Sequence, residues 1–260
     1  MTVVASVDGP VGTITLDRAA KRNAVTYGMW TGLEAACQTM ARDEAVRVVV
    51  LRGAGDHFCA GADITELLAE RPATQPSFMD VNMAAEHALA NLPKPTVAVV
   101  QGDCIGGGAA LAIDCDLRIA VEGSRFGITP AKLGIVYPPA SLERVTRLLG
   151  PAAKRLLFTG DLVDATEARR IGLVDEVWPA GDVEARVEEL CATLAARSLL
   201  TQAATKQMVG AVLEHGSVPS AMADAWAHEV AVSGELAEGV AAFGERRAPQ
   251  FPWRRPHGMS

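Results

Sequence analysis

A chain of 260 residues, 49% hydrophobic and with a formal charge of −7, has apolar material for one large core or a core plus an appendage. The acidic balance, with a pI near 5.3, argues against a nucleic-acid binder, which needs a basic face for phosphate contacts. The opening MTVVASVDGPVG carries neither a secretory nor a transit pattern, and no apolar run reaches membrane-spanning length, so the chain reads as soluble and cytoplasmic with no membrane partner.

In chain order, strands are predicted over 2–6, 11–16, 46–51, 96–100, 117–120 and 173–177, with helical spacing between them over 29–42, 83–91 and 141–149. This alternation implies α/β layering. RPATQPS at 71–77 reads as a loop. From Val183 onward the pattern is almost purely helical, with breaks near Ser198, Gly216 and Gly234, and it ends in FGERRAPQFPWRRPHGMS. The reading is therefore a core over 1–195 and a helical region over 196–260. Cys37, Cys59, Cys104, Cys115 and Cys191 are scattered without C-x-x-C spacing, which suggests reduced, buried thiols and no metal site.

Two segments share one grammar. VVVLRGAGDHFCAGADI and TVAVVQGDCIGGGAALAI each run from a buried strand through glycines into a helix start. A helix start offers unpaired N–H donors and the positive end of the dipole, and two such N–H groups converging on one point would stabilise charge on a carbonyl oxygen. The run from Ile105 to Ile113 has no acid, base or nucleophile, so its useful groups are peptide N–H donors. The competing reading of each motif is a tight helix–strand contact. Gly53 to Phe58 begins like a dinucleotide fingerprint but has Phe58 at the third glycine position, and no phosphate-loop motif is present.

The set GTITLDRAAKRNAVT, HFCAGADI, KPTVAVVQGDCIGGGAALAIDCDLRIA, RFGITPAKLGI, RLLFTGDLVDATEARRIGLVDEV and FGERRAPQF resembles the crotonase, or enoyl-CoA hydratase/isomerase, superfamily over most of the chain. The resemblance implies an α/β spiral of β-β-α units with a C-terminal helical region. It also implies an acyl-CoA thioester as the bound partner, with coenzyme A as part of the substrate and no separate cofactor, and a homotrimer or dimer of trimers. The thioester oxygen would meet the backbone N–H groups of Ala62 and Gly107. Lys21, Arg22, Ala24, Ala60, Asp63 and Ile64 would surround the CoA chain, and Arg246 or Arg247 would reach its phosphates across a subunit interface.

The departures from the family pattern are as informative. Family hydratases carry glutamates at positions that are Ala110 and Pro130 here, and related isomerases use an acid at the second of these or at the position of Pro138. A conventional two-carboxylate hydration is thereby in doubt, since positioned acid–base groups contribute about 10²- to 10⁴-fold each. Three readings stay open: hydration or isomerisation by a non-standard residue set, decarboxylation of a malonyl-type thioester, or a catalytically silent acyl-CoA binder. FGITPAKLGIVYPP is similar to methylmalonyl-CoA decarboxylase-like members, with Thr129 and Tyr137 facing the acyl group. Glu66 and His87 are the reserve proton carriers. Asp116 reads as structural, and Glu143 as support for the start of its helix.

Overall fold

The computed structural model describes residues 2–254. It opens on an antiparallel hairpin of β1 (Thr2–Asp8) and β2 (Val11–Asp17), turned through Gly9 at φ +52°. Helix α1 (Tyr27–Arg42) follows, capped by the Thr26 hydroxyl, and leads to β3 (Val48–Gly53). A short α2 (Ile64–Leu67) and then α3 (Phe78–Ala90) return the chain to β4 (Thr96–Val100). Ser77 and Asp80 form a reciprocal capping box at the start of α3.

Next come β5 (Asp103–Ile105), α4 (Gly107–Asp114), β6 (Leu117–Val121) and β7 (Arg125–Gly127). After these lie α5 (Pro139–Leu149), α6 (Ala152–Thr159), β8 (Val163–Asp164), α7 (Ala165–Arg170) and β9 (Glu176–Trp178). The chain closes on α8 (Val183–Ala196), α9 (Leu199–His215), α10 (Ser220–Ser233) and α11 (Glu235–Glu245), whose boundaries fall at the breaks expected near Ser198, Gly216 and Gly234.

The strands form a six-stranded sheet in the order β1-β2-β3-β4-β6-β9 and a three-stranded sheet in the order β5-β7-β8. From β2 to β9 the large sheet is parallel. From β4 to β7 the chain alternates between the large sheet and the small one, in keeping with the spiral the resemblance implies. Alternation along β3 and β4 divides the interior. Val49, Leu51, Ala98 and Val100 enter the main core under α1, α3 and α4, whereas Val48, Val50, Val97 and Val99 pack beneath Val183, Val187 and Cys191 of α8. Each fully buried valine contributes about 1.5–3 kcal/mol, so this double-sided burial fixes the register. Leu199, Leu200, Ala203, Ala204, Trp226 and Trp253 make a separate C-terminal cluster.

Differences from the expected elements have local causes. Val46 and Arg47 precede β3, because the Arg47 N–H turns to the Pro10 carbonyl. Leu173 and Val174 do not begin β9, since the Leu173 N–H closes the end of α7 on the Ala168 carbonyl. The β5, β7 and β8 strands escape sequence reading because two or three residues, with Asp103 and Arg125 among them, carry no legible alternation. The loop at 71–77 is anchored by Arg71, whose guanidinium lies 3.9 Å from the Tyr27 ring centre.

Candidate active site

The two glycine motifs lie side by side. Cys59 bridges Cys104 in parallel: its N–H donates to the Asp103 carbonyl at 2.9 Å, and its carbonyl accepts from the Ile105 N–H at 2.9 Å. A second parallel bridge joins Val25 to Ala62, with Val25 donating to the Gly61 carbonyl and Asp63 donating to the Val25 carbonyl. That pattern turns the Ala62 N–H away from Val25, and it finds no acceptor among the described residues. The Gly107 N–H is the first of α4, where no intrahelical acceptor exists, and it likewise has none elsewhere among them. A methyl added at Gly107 would stand 3.3 Å from the Ala62 nitrogen, so the two donors border one space.

The three glycines have separate duties. Gly106, with φ +57° and ψ −119°, makes the turn into α4 in a conformation that side-chain-bearing residues avoid. Gly108 packs against the first motif so closely that a Cβ would lie 2.3 Å from the Cys59 carbonyl oxygen. Gly107 leaves space in front of Ala62, a space floored by Trp30, whose Cζ2 would be 3.3 Å from the added methyl. The Trp30 indole N–H is buried without an acceptor among the described residues.

Residues 22–25 run beside 60–63, with the Ala60 N–H donating to the Arg22 carbonyl at 2.9 Å. This gathers Lys21, Arg22, Ala24, Ala60, Asp63 and Ile64 along one edge of the site; Lys21, Arg22 and Ile64 are exposed there. Asp63 caps α2 through Thr65 and also accepts from Arg18 at 2.7 Å. Hydrogen bonds from the Thr65 hydroxyl and then Arg18 hold its carboxyl down at about 2. The unfolded value is about 3.9. Asp63 therefore stabilises the fold fully above about pH 4, and that contribution is lost as pH falls toward about 2. Asp63→Asn keeps a capping acceptor without the charge. It is expected to flatten the fall of melting temperature over that interval, and parallel curves for the two proteins would refute the contribution.

Thr129 faces the turn into α4: its Oγ1 would be 3.6 Å from a Cβ at Gly106. Ala110 and Pro130 are buried. Tyr137 packs on the main core, and its hydroxyl is buried without a partner among the described residues. Burial first, and then the charge of Glu86, push the tyrosine hydroxyl well above its usual range.

Other expected residues lie elsewhere. Arg247 is held by Glu238 at 2.6 Å and Glu245 at 2.7 Å beyond α11, while Arg246 is exposed at φ +55°; within one chain neither makes a hydrogen bond or ion pair to the region of Ala62 and Gly107. The Glu66 carboxylate accepts from the Tyr27 N–H at 2.7 Å and faces Arg71 at 3.5 Å, which gives it a structural task. His87 is exposed and contacts Asn91. Asp116 joins Thr96 to Lys206, and Glu143 pairs with Arg147 at 2.9 Å rather than supporting the start of α5.

Sequence reasoning did not single out Glu86, the next residue before His87. It is 3% exposed on the buried face of α3. The signal was present: Glu86 stands one turn before Leu89 and eight residues after Phe78, within the apolar stripe.

A model of the enoyl-CoA hydratase/isomerase family matches residues 7–254. A crystal structure of an enoyl-CoA hydratase/isomerase family member superposes with TM-score 0.91 at 36% identity, covering 98% of each chain. A crystal structure of enoyl-CoA hydratase from Mycobacterium smegmatis does so with TM-score 0.86 at 30% identity, over 96% of this chain and 98% of that one. The probable enoyl-CoA hydratase echA8 of Mycobacterium leprae is 35% identical over 258 residues, which span 95% of this chain and 97% of the relative. The likeness runs through both glycine motifs and the whole spiral, and the chain belongs to the enoyl-CoA hydratase/isomerase family, with the crotonase fold.

Proposed function

We propose that the protein acts on an acyl-CoA thioester through an enolate whose oxygen is held by the N–H groups of Ala62 and Gly107. The observation that carries this reading is a pair of backbone donors, brought together from two motifs about 45 residues apart in the chain, that have no acceptor among the described residues. Donors already oriented toward a developing oxyanion need no reorganisation during reaction, which is why such sites are effective. Trp30 borders the same space and Thr129 lies beside the neighbouring Gly106, while Lys21, Arg22, Ala24, Ala60, Asp63 and Ile64 lie where the CoA chain would leave it. The reaction class that fits the family is hydration or isomerisation.

Decarboxylation of a malonyl-type thioester is the second reading. It is favoured by non-acidic Ala110 and Pro130 and by the unpartnered Tyr137 hydroxyl, which would orient the carboxylate or protonate the enolate. The assembly in which this happens is proposed as a trimer or dimer of trimers. Leu236, Val240 and Phe243 support it: they expose an apolar face on α11, Phe243 at 88%, that the described residues of one chain leave uncovered. Arg246, which has no ion pair among the described residues, is the better of the two arginines for CoA phosphates in a neighbouring subunit.

Incubation with crotonyl-CoA and, separately, methylmalonyl-CoA, followed by mass spectrometry, tests the reading on a sample sized by light scattering. Conversion of crotonyl-CoA by a trimeric or hexameric protein is the expected result. Conversion of methylmalonyl-CoA alone establishes the second reading instead. Binding without turnover of either makes the protein a silent acyl-CoA binder, and a stable monomer at micromolar concentration refutes the assembly.

A further inference from the structure

Behind α4 lies a group of buried ionisable side chains that the site described above does not use. Glu86 Oε1 accepts from Asn82 at 2.9 Å, and Oε2 accepts from the Ser141 hydroxyl at 2.7 Å and faces Arg144 at 3.5 Å. Ser141 lies in the first turn of α5, where the helix dipole also favours negative charge. Three donors against about four lone-pair sites leave Oε1 one free acceptor position. Arg144 also pairs with Asp114 at 3.0 Å; the Asp114 side chain is 2% exposed and its Oδ2 has no partner. Burial, then the charge of Glu86, push the Asp114 carboxyl well above the usual carboxylate range. Glu86 and Asp114 thus both face the single guanidinium of Arg144.

The placement ties this group to the acyl site. Gly107, Ala110 and Asp114 follow one another at intervals of three and four along one face of α4, so the face that meets Arg144 also presents Ala110. Tyr137 lies two residues before the start of α5, and after burial it is the charge of Glu86 that acts most strongly on its hydroxyl, which has no partner among the described residues. Two buried polar atoms, Asp114 Oδ2 and Tyr137 Oη, thus stand without partners around a carboxylate whose own donors come from three sides.

We propose that Glu86 is the proton-handling carboxylate of the acyl site, reached from α3 rather than from the Ala110 or Pro130 positions. This rests on the acyl-CoA reading above. The α C–H bond of the bound thioester breaks and its electron pair enters the enolate, whose oxygen the Ala62 and Gly107 N–H groups hold. The proton forms an O–H bond at Glu86, and the reverse steps return it. Tyr137, neutral, faces the same space as a hydrogen-bond donor, while Arg144 and Ser141 position the carboxylate.

Exchange of α-hydrogen in butyryl-CoA dissolved in D₂O, followed by mass spectrometry, tests this alongside calorimetric affinity for the same thioester. Wild type is expected to exchange. Glu86→Gln is expected to lose about 10²-fold or more in exchange rate with affinity within about threefold, because a positioned base serves the rate and not the binding. If Glu86→Gln melts early, Glu86→Asp keeps the charge and is expected to show the same split between rate and affinity in a smaller degree. Exchange at the wild-type rate in a folded Glu86 variant overturns the assignment, as does a wild type that binds butyryl-CoA without exchanging it. A wild type that does not bind butyryl-CoA, or a Gly107→Ala protein that exchanges normally, overturns the underlying acyl-CoA reading instead.

Discussion

Gly107→Ala is expected to reduce acyl-CoA turnover by about 10²-fold or more while leaving the melting temperature nearly unchanged. The added methyl would meet the Ala62 nitrogen and Trp30 Cζ2 each at 3.3 Å, distances that shifts of a few tenths of an ångström relieve. Gly107 begins a helix, where alanine is at least as well accommodated as glycine. The space lost, however, is the one in front of the Ala62 N–H, so a thioester oxygen no longer reaches both donors. Turnover of crotonyl-CoA beside a thermal melt separates the two effects. Full activity in the folded variant would refute the assignment of the donors.

The neighbouring substitution is expected to behave in the opposite manner. Gly108→Ala would place a methyl 2.3 Å from the Cys59 carbonyl oxygen and 2.7 Å from its Cβ, contacts with backbone that no rotamer change relieves. The Cys59–Cys104 bridge holds the two motifs together at that point, so relief requires them to separate. Overpacking of this kind costs about 1–3 kcal/mol or more. For a chain of this size that corresponds to a fall in melting temperature of about 2–4 °C per kcal/mol. Activity should fall as well, through the fold. A variant that melts like wild type would mean that the two motifs are less tightly joined than this packing requires.

These two glycines illustrate how far the sequence reaches. Consecutive glycines at a helix start announce a close backbone approach, and the paired motifs announce that it occurs twice. The strand at 96–100 and the helical breaks near Ser198, Gly216 and Gly234 were also legible, because long apolar runs and punctuating glycines act over a few residues. Which glycine turns the chain, which packs and which leaves space was not legible, since that depends on Cys59, Ala62 and Trp30, between 45 and 77 residues away in the chain.

The same division holds for the ionisable residues. The sequence by itself determined that Ala110, Pro130 and Pro138 carry no acid, so a proton-carrying carboxylate does not come from the three positions the family uses. It directed attention to Glu66 and His87 because they flank a loop, yet the fold ties Glu66 to Tyr27 and Arg71 and leaves His87 exposed. Only the tertiary structure set Glu86 beside Ser141 and Arg144, with Asp114 behind them. The physical reason is one of range. Backbone preferences and apolar periodicity are written within a few adjacent residues, whereas the charge state and partners of a buried carboxylate are decided by α3, α4 and α5 meeting in space.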